Sequence, residues 1–139
     1  MIDVSVNGFF NVTQPLTQPL TLPMIRTRWG RIVNISSVAA LTGNRGQVNY
    51  AAAKGALNSA TKALALELAS RGITVNAVAP GIIDSGMAQG SFDKTLIERL
   101  VPMKRAGRAD EVAALVAFLA SDDAGYISAQ VISINGGMV

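Results

Sequence analysis

The sequence predicts an α/β fold built on a doubly wound parallel sheet. Short β-branched runs alternate with Ala- and Leu-rich helical stretches, and no hairpin signal joins any two of the runs. Half of the residues are hydrophobic while only 15% are charged. Parallel neighbours need a crossover of a dozen or more residues, which right-handed helical connections supply. The apolar fraction is enough for one buried core, so a single domain over residues 1–139 is expected.

The elements follow in chain order. Arg31 to Ile35 (RIVNI) is a β-branched run preceded by Gly30 and followed by Ser36-Ser37, which suits a buried strand. A loop containing Gly43 and Gly46 leads into an Ala-, Leu- and Lys-rich stretch from about Val48 to Ser70, interrupted only by Gly55. It stops at Arg71-Gly72, a common helix end. The stretch 73-ITVNAVAPG-81 reads as a second strand broken by Pro-Gly, and 130-QVISINGG-137 as a third. Between them a short helix is expected near Phe92 to Leu100 and a longer one from about Asp110 to Ser121.

Composition excludes several chemistries. With no Cys and no His, the chain has no disulfides, no thiol nucleophile, no His-based metal site and no Ser-His or Cys-His pair. Any chemistry falls to Ser, Tyr, Lys, Asp, Glu or a cofactor. The net charge of +3 is scattered, and its densest group, Arg26, Arg28 and Arg31, has too few aromatics beside it for a nucleic-acid surface. A solvated helix end accounts for it better. No apolar run approaches the roughly 20 residues of a membrane helix, and the first residues lack a basic-then-apolar leader pattern. The expectation is a soluble, cytoplasmic protein that binds neither nucleic acid nor membrane.

In doubly wound sheets, ligands bind beyond the carboxyl ends of the strands. That rule selects Ser36-Ser37 and Pro80-Gly81. Between those strands lies 50-YAAAK-54, with Tyr50 and Lys54 one helical turn apart and so on one helix face. The spacing suits a tyrosine used as general acid or base, because a fixed ammonium favours the phenolate. A serine hydroxyl beside the tyrosine can hold a carbonyl or alcohol oxygen in line for proton transfer. A Tyr and a Lys spaced this way are usually mere surface neighbours. The serine pair at one strand end and N-A-V-A-P-G at the next make that reading hard to hold for the set.

Three stretches, 31-RIVNISSVAALTGNRGQVNYAAAKGAL-57, 73-ITVNAVAPGIID-84 and 118-FLASDDAGYISAQVISINGG-137, resemble the short-chain dehydrogenase/reductases. Among these they are most similar to the 3-oxoacyl-[acyl-carrier-protein] reductases of bacterial fatty acid synthesis. The resemblance runs from about residue 1 to the end of the chain and implies the C-terminal half of a Rossmann-type fold. It implies Tyr50 as the catalytic acid, Lys54 as the group that orients the nicotinamide ribose and favours ionisation of Tyr50, and Ser37 as the residue that positions the substrate oxygen. Ser37 is preferred to Ser36 because it lies thirteen residues before Tyr50, the family's spacing (50 − 37 = 13). Pro80-Gly81 would open the loop against the nicotinamide, the backbone of Ile83 would lie near its carboxamide, and Ser85 would stand where the family often has Thr. No metal is implied. The cofactor implied is NADP(H) ahead of NAD(H), the substrate a 3-oxoacyl thioester or another small ketone, and the assembly a homo-oligomer, dimer or tetramer.

Against that family the chain departs in three places. TQPL is written twice in 13-TQPLTQPLTLPM-24, and deleting one copy restores the family's distance to Arg31, so the repeat reads as a tandem insertion. Four added residues would displace a continuous helix by about 6 Å and turn it by about 40°. Pro15, Pro19 and Pro23 recur every four residues, and an interior proline costs on the order of 3 kcal/mol, so a broken or looped-out segment is expected. Ser5 stands where the family's catalytic tetrad has Asn, with Asn7 two residues on. Finally, no Gly-x-Gly-x-x-Gly occurs in the sequence. The phosphate-binding half is expected to precede residue 1, which would leave the first strand an open edge. Two function classes follow: a reductase whose cofactor half lies outside these residues, acting on a 3-oxoacyl thioester or another ketone or alcohol, and a non-catalytic remnant serving as an oligomerisation partner.

Overall fold

The computed structural model describes residues 2–17, 21–84 and 93–139. Three strands, β1 (Gly30–Ile35), β2 (Ile73–Pro80) and β5 (Val131–Ile134), form a parallel sheet in the order β1-β2-β5. β2 is central, and residues 73–79 are all buried. It pairs Ile32 with Val75 and Ile35 with Val78 on one side, and Ala77 with Val131 and Pro80 with Ile134 on the other. The three strands therefore end together, at Ile35, Pro80 and Ile134.

The pleat divides the core in two. Ile73 and Val75 point to one face, where Leu64, Ala65 and Leu68 of α4 (Val48–Leu68) pack with Ile32, Phe9 and Met24. Val78 points to the other, against Leu119 of α6 (Ala109–Ala120), Ala124, Val33 and Val116. Helices thus cover both faces, as the alternation of elements predicts. Asn76, fully buried between strands, is satisfied: its Nδ2 donates to the Ile127 carbonyl at 2.8 Å and its Oδ1 accepts from the Gln130 N–H at 3.1 Å.

Boundaries shift by a few residues for local reasons. α4 passes into a 3₁₀ turn, Ala69–Arg71, and stops at Gly72, whose φ of +72° is a left-handed cap that glycine adopts at low cost. A Cβ there would also lie 2.1 Å from the Arg28 carbonyl oxygen. β5 ends at Ile134, earlier than the expected Gly137, because Asn135–Gly137 turn back on themselves. α5 spans Lys94–Leu100, and two two-residue strands, β3 (Ile83–Asp84) and β4 (Gly107–Arg108), pair in parallel beside the main sheet.

At the N-terminal side a π-helical turn, Asp3–Asn7, leads into α1 (Gly8–Thr17), and α2 covers Thr21–Thr27. α1 continues through the first TQPL copy and its Pro15. Pro23 sits in the first turn of α2, where its missing N–H has no intrahelical partner to lose. The rest of the second copy, Gln18 to Leu20, is outside the described residues, and so is the break expected there. β1 pairs with β2 alone among the described residues and keeps a free edge, with Ile35 nearly half exposed. None of the described helices is long and apolar enough to cross a membrane.

Candidate active site

Because β1, β2 and β5 end in line, the segments that follow them meet. Ser36 and Ser37 leave β1, Gly81 to Ile83 leave β2, and Asn135 to Val139 leave β5. Backbone bonds tie the three exits together: the Ser36 N–H donates to the Val78 carbonyl at 2.7 Å, the Val38 N–H to the Pro80 carbonyl at 2.9 Å, and the Gly81 N–H to the Ile134 carbonyl at 2.9 Å. A cleft of about 550 Å³ opens above them, its walls including Ser37, Tyr50, Gly81, Ile82 and Ile83.

The two serines have different work. Ser36 is buried, and its hydroxyl donates to the Lys54 carbonyl at 3.3 Å, fastening β1 to α4. Ser37 lines the cleft, and its oxygen accepts the Ala39 N–H at 3.2 Å, which fixes the rotamer while leaving the hydroxyl proton to donate elsewhere. Tyr50, in the first turn of α4, shares that cleft. Lys54 lies one turn further along and turns to the strand end, where its ammonium donates to the Ile35 carbonyl at 2.8 Å. Lys54 and Pro80 are not among the cleft-lining residues. Pro80 acts through its backbone, paired with Ile134 and accepting from Val38. Ser85 is outside the described residues.

The Ile83 amide takes no part in the β3–β4 pairing. The β3–β4 pairing is made through the Ile82 carbonyl, which accepts the Gly107 N–H at 2.9 Å, and in a parallel ladder the next residue's own N–H and C=O point away from that partner. Below it, Arg105 grips Glu111 through two bonds of 2.7 and 2.8 Å, and the Arg108 N–H donates to the same carboxylate at 2.7 Å. Those contacts, Arg105 first, hold the Glu111 carboxyl down to about 2. The pair anchors the start of α6 beside β3. No group of three or more potential metal ligands occurs among the described residues.

Met138 and Val139 also line the cleft, as does Leu100. The sequence reading missed these two terminal-side residues, although the strand-end rule applied to the third strand as well as to the first two points to them. Ser5 lies elsewhere, in a groove between the π-helical turn, α1 and α4 with Val6, Phe9, Phe10 and Ala60. Asn7 donates to the Asp3 carboxylate.

A doubly wound parallel sheet with a serine at one strand end, and a Tyr and Lys one turn apart on the following helix, defines the short-chain dehydrogenase/reductase class. Residues 1–139 match the family model described as enoyl-(acyl carrier protein) reductase, and the chain belongs to that family of short-chain dehydrogenase/reductases. It is 47% identical over 143 residues to the 3-oxoacyl-[acyl-carrier-protein] reductase FabG of Thermotoga maritima, covering 100% of this chain and 56% of that protein. It is 48% identical over 141 residues to the acetoacetyl-CoA reductase of Rhizobium meliloti and 45% identical over 140 residues to nodulation protein G of a Rhizobium species, covering 99% of this chain and 56% of each relative. The chain spans about half the length of the curated relatives it matches.

Proposed function

We propose that this chain carries the catalytic half of an NAD(P)H-dependent reductase of a 3-oxoacyl thioester or a closely related ketone, with NADP(H) ahead of NAD(H). The observation that carries the reading is the single cleft shared by Ser37 and Tyr50 at the joint end of three parallel strands. The residues fit the nicotinamide end of such a cofactor: Tyr50 and Gly81 to Ile83 share the cleft, and the Ile83 amide is unused by the neighbouring strand. They offer no Gly-rich phosphate turn of the usual pattern.

A bound nicotinamide supplies the hydride. The Tyr50 hydroxyl gives its proton to the ketone oxygen, which becomes the alcohol, and the Ser37 hydroxyl donates a hydrogen bond to the same oxygen and fixes its position. Lys54 is held at the end of β1, one helical turn from Tyr50 on α4. Its other donors are free to meet a ribose hydroxyl. The cleft's Ile82, Ile83 and Leu100 suit an aliphatic chain. A ketone is preferred to an enoyl group because two hydroxyl-bearing side chains, Ser37 and Tyr50, line one cleft, and because the relatives quoted by activity are named for 3-oxoacyl and acetoacetyl substrates.

Joining the chain to the part of the Thermotoga relative that it does not cover allows the test. Tyr50→Phe is expected to reduce ketone turnover by about 10²–10⁴-fold, the usual worth of general acid catalysis, with unchanged circular dichroism. Parent-like turnover by the Phe variant removes the assignment, and turnover of enoyl thioesters with none of ketones redirects it.

A further inference from the structure

The chain leaving β5 is fastened far more firmly than a loose tail requires. The Asn135 Oδ1 accepts the N–H groups of both Gly137, at 3.0 Å, and Met138, at 3.1 Å. Gly136 and Gly137 take left-handed φ values of +66° and +88°, and the Met103 N–H donates to the Gly136 carbonyl at 3.1 Å. The turn has no slack: a Cβ on Gly136 would come 2.6 Å from Val101 Cγ1, and one on Gly81 would come 2.8 Å from Asn135 Cβ and 3.1 Å from Met138 Sδ. The bare Cα of Gly81 is the bed on which the Met138 sulfur lies. The side chain of Met138 then reaches the cleft that holds Ser37 and Tyr50, with Val139 beside it.

We propose that Met138 and Val139 are the residues that set how long an acyl chain this site accepts. The proposal rests on the thioester reading above. Ser37 and Tyr50 provide the polar hydroxyls for the carbonyl oxygen, while Met138, Val139, Leu100, Ile82 and Ile83 supply apolar surface in the same cleft. A thioether on a rigid turn closes that space firmly at its backbone and softly at its tip, since methionine adapts to irregular gaps. Shortening the side chain leaves the turn in place, because Asn135 and the two glycines hold it through the backbone. The result is a longer apolar arm accommodated at constant position of the reacting carbonyl.

The test uses residues 1–139 with ¹³C-methyl methionine and labelled tyrosine, titrated with acetoacetyl-pantetheine and 3-oxooctanoyl-pantetheine. The Met138 methyl signal, assigned through Met138→Leu, is expected to move with either probe together with the Tyr50 ring signals. Met138→Ala is expected to shift the ratio of the two dissociation constants about tenfold toward the longer probe, the scale of one methylene in an apolar pocket, while Met138→Leu keeps the parent ratio. If Tyr50 responds and Met138→Ala leaves the ratio unchanged, the chain-length assignment is overturned and the thioester reading stands. If neither Tyr50 nor Met138 responds to millimolar probe, both are overturned.

Discussion

The cleft at the strand ends and the groove between α1 and α4 are both open and partly apolar, yet they are built in opposite ways. Around the cleft, backbone and side chains approach to the limit of contact. Gly81 has no room for a methyl group, Ser36 is buried under Lys54, and Asn135 takes two N–H groups at once. Along the groove, Phe9, Phe10, Ala60 and Ala63 line two adjoining hollows of about 390 Å³ each, and Ala52, Ala56 and Ala63 of α4 remain exposed. Close construction marks a place where atoms must be held for chemistry. An open row of small side chains marks a face that lacks its cover, since a helix apolar on more than one side is normally buried on more than one side.

The largest expected effect that separates the two regions is Gly81→Ala. A Cβ 2.9 Å from the backbone Cα of Asn135 cannot be relieved by a rotamer change, so the Asn135 turn must move. Overpacking of this kind typically costs about 1–3 kcal/mol, read as a lower urea midpoint. Ala60→Ser in the groove should stay within about 0.5 kcal/mol of the parent. Equal costs at the two positions would erase the distinction.

Next in size is assembly. With a free β1 edge and an uncovered α4 face, the isolated chain is expected to sediment as a dimer or larger species, or to aggregate, at tens of micromolar. Ala60→Glu should shift that distribution toward monomer without altering circular dichroism. A well-folded monomeric parent would show that the groove needs no partner.

Much of the cleft was legible in the sequence and little of the groove's exact form was. Ser37 and Tyr50 are chemically distinctive residues at a spacing that the strand–helix alternation places on one side, and both line the cleft; Lys54 does not line it, and Ser36 is buried. The long elements β1, α4, β2 and α6 also stand where periodicity puts them, to within a few residues. The β3–β4 pair was not legible, because two residues carry no periodicity. Met138 and Val139 reach the cleft only because β5 lies next to β2, a neighbour relation that no local pattern encodes. The bond from Lys54 to the Ile35 carbonyl depends on a rotamer.

The smallest effect lies at the start of α6, where Arg105 and Glu111 line a separate pocket with Ile82 and Ile83. Arg105 and the Arg108 N–H hold Glu111 at about 2, against an ordinary 4.5, so the carboxylate form is favoured in the folded chain. A lowered value contributes stability above pH 4.5 that is lost as pH falls from 4.5 toward 2. Glu111→Gln is therefore expected to lower the thermal midpoint slightly at pH 7 and to flatten its fall over that acid range. A parallel fall in parent and variant would mean that the exposed pair contributes nothing measurable.

The central claim is the proposed division of labour, in which this chain supplies the residues of the chemical step and, with no Gly-x-Gly-x-x-Gly in its sequence, no phosphate-binding turn of that pattern. Calorimetric titration of NADPH into residues 1–139 tests it most directly. The account predicts no saturable heat, because the sequence holds no Gly-x-Gly-x-x-Gly turn for the cofactor's phosphates; saturable binding with a micromolar dissociation constant would contradict it.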